Sequence, residues 1–168
     1  MENKDYYGLK LSNLKGFFTD PRTVSFLKIN DIYDFGDLIK FTKTNKYEKL
    51  KNSNFELSKE LEGSIKLIKY NFFGENLDFD KETELCDFGF STKAYLGIKH
   101  FKLMDEFDSW FEALQVFGSE DVLEIFSYVH MISPDIIDEI REKSQIINDY
   151  HREKLHIMPE EGARIRTR

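Results

Sequence analysis

Between Pro21 and Ile39 the chain reads PRTVSFLKINDIYDFGDLI, and its apolar residues Val24, Leu27, Ile32, Phe35, Leu38 and Ile39 keep helix-like spacing with one interruption. That interruption falls at Asn30 and Asp31, residue types suited to a tight connection. The pattern predicts a short helix over residues 22–28, a turn, and a second helix entered through Gly36 and Asp37, which serve as entry turn and cap. Two short helices joined this closely can share one core.

The rest of the composition fits a helical reading. In 168 residues there are only three prolines and nine glycines, while charged residues reach 33%, a balance that suits helices better than a many-turned sheet protein. Sixteen Phe and eight Tyr supply bulky core material for one ordinary domain or two small ones. No apolar run approaches the roughly 20 residues that span a bilayer. The start, MENKDYYGLKLS, lacks the apolar stretch of an export signal. The single cysteine, Cys86, leaves no internal disulfide and no multi-cysteine zinc site. These features together point to the cytoplasm.

Charge is unevenly distributed. The net −7 divides into +3 over residues 1–70 and −10 over residues 71–168. A basic surface is the normal requirement for nucleic acid, because phosphate contacts supply much of the affinity. The first half meets it locally; the second half suits a protein partner or plain solubility.

Composition shifts at Phe73-Gly74-Glu75-Asn76, which sets a boundary and an expected organisation of residues 1–73, residues 84–157 and a flexible tail at 158–168. Upstream, Leu57, Leu61, Ile65 and Ile68 mark the face of an amphipathic helix over residues 50–70, with Ser58 as its expected cap. Gly63 inside that helix carries a penalty of about 1 kcal/mol relative to Ala. Downstream, residues 88–111 read as a worn copy of the first half, Lys93 standing for Arg22 and Ile98-Lys99 for Leu27-Lys28. Ser119-Glu120-Asp121 and Ser133-Pro134-Asp135 are further helix starts, the second opening a helix to about Leu155 with Ile136, Ile137, Ile140, Ile147 and Tyr150 available for burial. The alternative to two copies is one continuous bundle whose short helices use similar caps.

Arg22, Leu27-Lys28, Ile32 and Gly36-Asp37-Leu38 form a phrase that resembles the C-terminal domain of the RNA polymerase alpha subunit. The resemblance covers residues 18–70 and, more weakly, 88–145. It implies an all-α fold of two small helical domains of that type, each with a helix-hairpin-helix. It also implies a non-enzymatic DNA-backbone-binding or transcription-associated module that reads groove width and charge. By that resemblance Arg22, Ser25, Asn54 and Lys59 touch the DNA backbone, while the acidic half engages a protein. The sequence departs from the family at Glu56, which stands where the hairpin glycine belongs and places an acid beside a phosphate. An adaptor of the same fold that binds protein and no DNA is the competing expectation. Arg22 has a second reading too, as a partner of Asp20 or of an acid in the second half.

Other chemistry has little footing. His151 and His156 lie five apart, not at the four-residue gap of a helical metal pair, and His100 and His130 show no ligand spacing. Cys86 sits in an acidic segment that raises a thiol pKa. There is no phosphate loop and no serine elbow. The expectation is therefore no enzyme, no metal and no cofactor. Lys28, Lys40, Lys43, Lys46, Lys49 and Lys51 read either as a basic stripe or as a solvated face. The adjacent aromatics Phe17-Phe18, Phe72-Phe73 and Trp110-Phe111 read as core shared between packed halves, or as an exposed patch for a protein partner.

Overall fold

Asp20 opens the first helix because its carboxylate accepts the Arg22 amide at 3.0 Å and Pro21 presets the first helical residue. The computed structural model describes residues 5–101 and 106–157. Helix α1 (Pro21–Ile29) ends in a Schellman motif: the Ile32 amide returns to Leu27 O and the Asp31 amide to Lys28 O. Asp31 takes the left-handed position (φ 56°), while Leu27 and Ile32 meet as the buried apolar pair. The turn expected at Asn30-Asp31 is thus a closed helix end. Helix α2 (Phe35–Phe41) starts with a reciprocal capping box. Asp34 accepts the Asp37 amide at 2.8 Å, and the Asp37 carboxylate accepts the Tyr33 and Asp34 amides.

The expected helix over residues 50–70 is two helices. α3 (Asn45–Ser53) and α4 (Phe55–Phe73) meet at Asn54, which ends the first and caps the second by accepting the Leu57 amide at 3.2 Å. Ser58, the expected cap, is buried one turn inside α4, where its hydroxyl donates to Phe55 O at 2.7 Å. Asn54 wins because it precedes the first helical residue and its side chain is short enough to fold back on the backbone. α4 stops at Gly74 (φ 67°). A non-helical segment with a 3₁₀ turn at Leu85–Asp87 then leads to α5 (Thr92–His100).

Beyond it lie α6 (Trp110–Ala113), a 3₁₀ turn at Leu114–Gly118, α7 (Glu120–His130) and α8 (Pro134–Ile157). Both helix starts read from Ser119 and Ser133 are present, and all four isoleucines assigned to the last helix are buried. The structure is all-α, with no strand among the described residues beyond an isolated bridge between Lys10 and Asp34. No described helix is long and apolar enough to cross a membrane. The expected tail at 158–168 and the side chain of His156 lie outside the described residues.

α8 is the strut. It packs against α4, α5, α7 and the 114–118 turn, and buried apolar residues on both sides of Gly74 belong to one cluster. The 74–91 segment is tied to the strut as well: Tyr150 Oη donates to Leu77 O at 2.5 Å and Lys154 to Phe79 O at 3.3 Å. Phe17 and Phe18 are both buried, which adjacent residues achieve here because Phe18 adopts positive φ (56°) and turns the chain between them. Phe72, by contrast, stays exposed on α4.

Gly63 has a positive reason. A Cβ built there would lie 2.3 Å from Gly89 Cα and N, so the backbone of α4 touches the backbone entering α5. Gly89 itself adopts φ 95°. Helix propensity alone predicts that Gly63→Ala gains about 1 kcal/mol. The contact predicts a net loss of about 2 kcal/mol or more in urea unfolding, through overpacking that backbone cannot relieve. An unchanged or raised midpoint would mean the two backbones separate freely.

Candidate functional site

Beneath the Gly63–Gly89 contact lies a polar network that no water reaches. Glu139 and Lys143, one turn apart on α8, are both fully buried and paired at 3.0 Å. Lys143 Nζ also donates to Gly89 O at 2.5 Å and Ser64 Oγ at 3.1 Å, so each of its three protons has an acceptor. Glu139 Oε1 accepts the hydroxyls of Ser91 (2.7 Å) and Thr19 (3.3 Å); Oε2 accepts the Ser91 amide (2.6 Å) and the lysine. The ring of Phe17 lies 5.2 Å from the ammonium. The partners of these two charges join α8 to α4, the start of α5 and the segment before α1.

A cleft of about 720 Å³ opens beside this network, between α1, the start of α4 and the start of α5. Glu60 of α4 lines its floor and is only 3% exposed. Thr23 of α1 donates to Glu60 Oε1 at 2.8 Å, whereas Oε2 has no hydrogen-bond partner among the described residues. Burial pushes the Glu60 carboxyl up to about 7, with the nearby Glu139 and Asp20 carboxylates adding to the rise and Lys143 and the Thr23 hydroxyl opposing it.

Three of the four residues expected to touch DNA line this cleft. Arg22 and Ser25 stand exposed on α1, and Asn54 stands at the start of α4 with its side-chain oxygen engaged as the cap. Asp20 faces the Arg22 guanidinium at 3.6 Å, the pairing expected as its second reading. Carboxylates from Asp20, Glu56 and Glu60 line the same space. Lys59 is elsewhere: it points toward the 3₁₀ turn at Leu85–Asp87 and pairs with Asp87 at 2.6 Å. That contact raises the lysine pKa, chiefly through the hydrogen bond to Asp87. The lysines of residues 28–49 are exposed, while Lys51 lies against the Tyr47 ring and pairs with Glu48 at 3.6 Å.

The cysteine and histidines behave as their surroundings dictate. Burial first, then the Asp87 carboxylate, push the Cys86 thiol up. His151 packs edge-on to Phe111 at 4.5 Å, and burial lowers its pKa. No cluster of three or more His, Cys, Asp or Glu suited to a metal occurs among the described residues.

Sequence reasoning missed Glu60, Glu139 and Lys143. Their one visible trace was the adjacent Gly63-Ser64 inside an apolar helix, two small residues that mark a close approach.

Glu60 yields a pH prediction. Between pH 4.5 and about 7 the folded chain keeps a proton that the unfolded chain has released, so stability falls as pH rises through that window and is level above it. The contribution is about 3 kcal/mol across the window. Glu60→Gln keeps the acceptor for Thr23 and removes the charge. Urea unfolding below and above the window should show the variant more stable than the parent above pH 7 and without this fall. An identical pH dependence in both proteins would contradict the assignment.

No family model matches this chain, and neither the curated proteins nor the solved structures contain a match to it.

Proposed function

We propose that the chain is a non-enzymatic protein-interaction module that docks an apolar, basic-flanked helix of a partner on the outer face of α7. The observation that carries this reading is one stripe of large apolar side chains in water. Ile125, Tyr128 and Val129 are 56%, 87% and 61% exposed at helical i, i+3, i+4 spacing, and Met131 just beyond them is 90% exposed. α7 buries its opposite face through Leu123 and Phe126, so the stripe is not a misplaced core. Contiguous exposed apolar surface of this kind marks interaction sites, and tyrosine and methionine are over-represented in them.

Charge supports the partner's character. From residue 103 to residue 140 the sequence has no Lys or Arg, and Asp121 and Glu124 are exposed on the same helix. An apolar helix flanked by Lys or Arg complements that surface. The DNA-backbone reading is the weaker one: Arg22, Ser25 and Asn54 share their cleft with three carboxylates, and Lys59 is committed to Asp87.

Selection from a displayed library of helical peptides tests the proposal. Peptides with an apolar stripe and basic flanks should be enriched, and Tyr128→Ser with Ile125→Ser should weaken them by at least about tenfold while thermal unfolding stays unchanged. Peptides that bind the double variant equally well would refute the docking face. So would self-association of the chain through the stripe, or steeply salt-dependent binding to a DNA duplex that Arg22→Ala abolishes.

A further inference from the structure

The cleft between α1, α4 and α5 has a chemistry the docking face does not use. The geometry points to a binding site for an aliphatic diamine or longer polyamine, with Glu60 holding an ammonium at the floor and Glu56 a second one at the rim.

Glu60 carries the argument. One of its carboxylate oxygens is engaged by Thr23 at 2.8 Å, and the other lacks any hydrogen-bond partner among the described residues although the residue is 97% shielded, being 3% exposed. A buried acceptor left empty is costly, and natural structures retain such atoms where something else satisfies them. For the ionised carboxylate the missing partner is a donor. A cationic donor fits best, because Arg22, the one cation among the cleft's lining residues, already faces Asp20 at 3.6 Å, while Glu56 adds a further carboxylate.

Spacing specifies the ligand further. Glu56 and Glu60 both line the cleft and lie four residues apart on α4. Residues at that spacing share a helix face with Cβ atoms about 5–6 Å apart. Two carboxylates so placed match two ammonium groups joined by a short methylene chain. Phe26, Ile29 and Leu57 supply the apolar wall along which such a chain would lie. A metal ion would need a convergent ligand set, which the described residues do not offer here.

The site also makes its own pH dependence. Glu60 faces Asp20 from the start of α1, Thr23 from α1, and Glu139 and Lys143 from α8; the three carboxylates outnumber the single ammonium. An incoming cation therefore binds the ionised carboxylate, and binding releases the proton that Glu60 holds below about pH 7. Affinity for a diamine should rise as pH passes upward through that value.

The experiment is a titration of the full chain with 1,4-diaminobutane, followed by calorimetry and by amide NMR, with 1-aminobutane at equal ionic strength as the comparison. The expected result is saturable binding with shifts at Thr23, Glu60 and Thr92, at least about fivefold tighter for the diamine. Glu60→Gln should weaken it by about tenfold or more, and Glu56→Gln should remove the diamine's advantage over the monoamine. If Glu60→Gln does not fold, Glu56→Gln at the exposed rim decides alone. Absence of saturable binding overturns the proposal, as do shifts confined to the acidic surface around α7, or affinity unchanged in Glu56→Gln. These outcomes are independent of whether α7 docks a peptide.

Discussion

One lysine and one glutamate, sealed at the centre of the molecule, hold its pieces in register. Lys143 and Glu139 are both fully buried, and each is saturated with partners drawn from α4, the turn before α5 and the loop before α1. Removing two charges from water is expensive, and mutual attraction repays it only where every remaining lone pair and proton is also satisfied. Here they are. A saturated network of this sort accepts very few alternative arrangements, because any shift strands a charge.

The consequences spread outward from that pair. Lys143 reaches Gly89 O only because α4 presents Gly63 and Ser64 instead of larger residues, which lets the α5 approach run against the helix backbone. Ser91 is fixed twice by Glu139, and it is also the cap of α5, its hydroxyl accepting the Ala94 amide at 3.4 Å. The same packing that satisfies Glu139 leaves Glu60 nearby with an unfilled oxygen at the floor of a cleft. A fully partnered carboxylate, Glu139, and a half-partnered one, Glu60, thus share one lysine's field.

Some caps were legible in the sequence. The starts at Ser119 and Ser133-Pro134 act through a few neighbouring residues, so their signals survive without knowledge of the fold. Asp37, read as the cap of α2, instead answers the true cap Asp34 from the third helical position, and the Asp20 cap of α1 went unread. Asn54 was visible as a polar residue but was read as a hairpin contact, because a continuous apolar spacing hid the joint between α3 and α4. The buried charges were illegible for a different reason. Glu139-Ile140-Arg141-Glu142-Lys143 reads like any solvated helix face, and Arg141 behaves as one, pairing with Glu120 at 2.8 Å at the surface. What buries its neighbours is that α8 is covered by α4, α5 and α7 together, so its buried arc is wider than a simple apolar stripe. That fact belongs to tertiary structure. The exposed stripe on α7 was equally hidden, since Ile125, Tyr128 and Val129 carry the composition of core residues.

The buried pair is tested most directly by a double-mutant cycle on Glu139→Gln and Lys143→Met, read as unfolding free energy in urea at neutral pH. If the pair organises the core, Lys143→Met alone should cost about 3–5 kcal/mol, by leaving Glu139 charged and short of a partner. The double variant should recover a large part of that loss. Losses below about 1 kcal/mol for the single variant, or strictly additive effects in the double, would show that the two charges do not depend on each other.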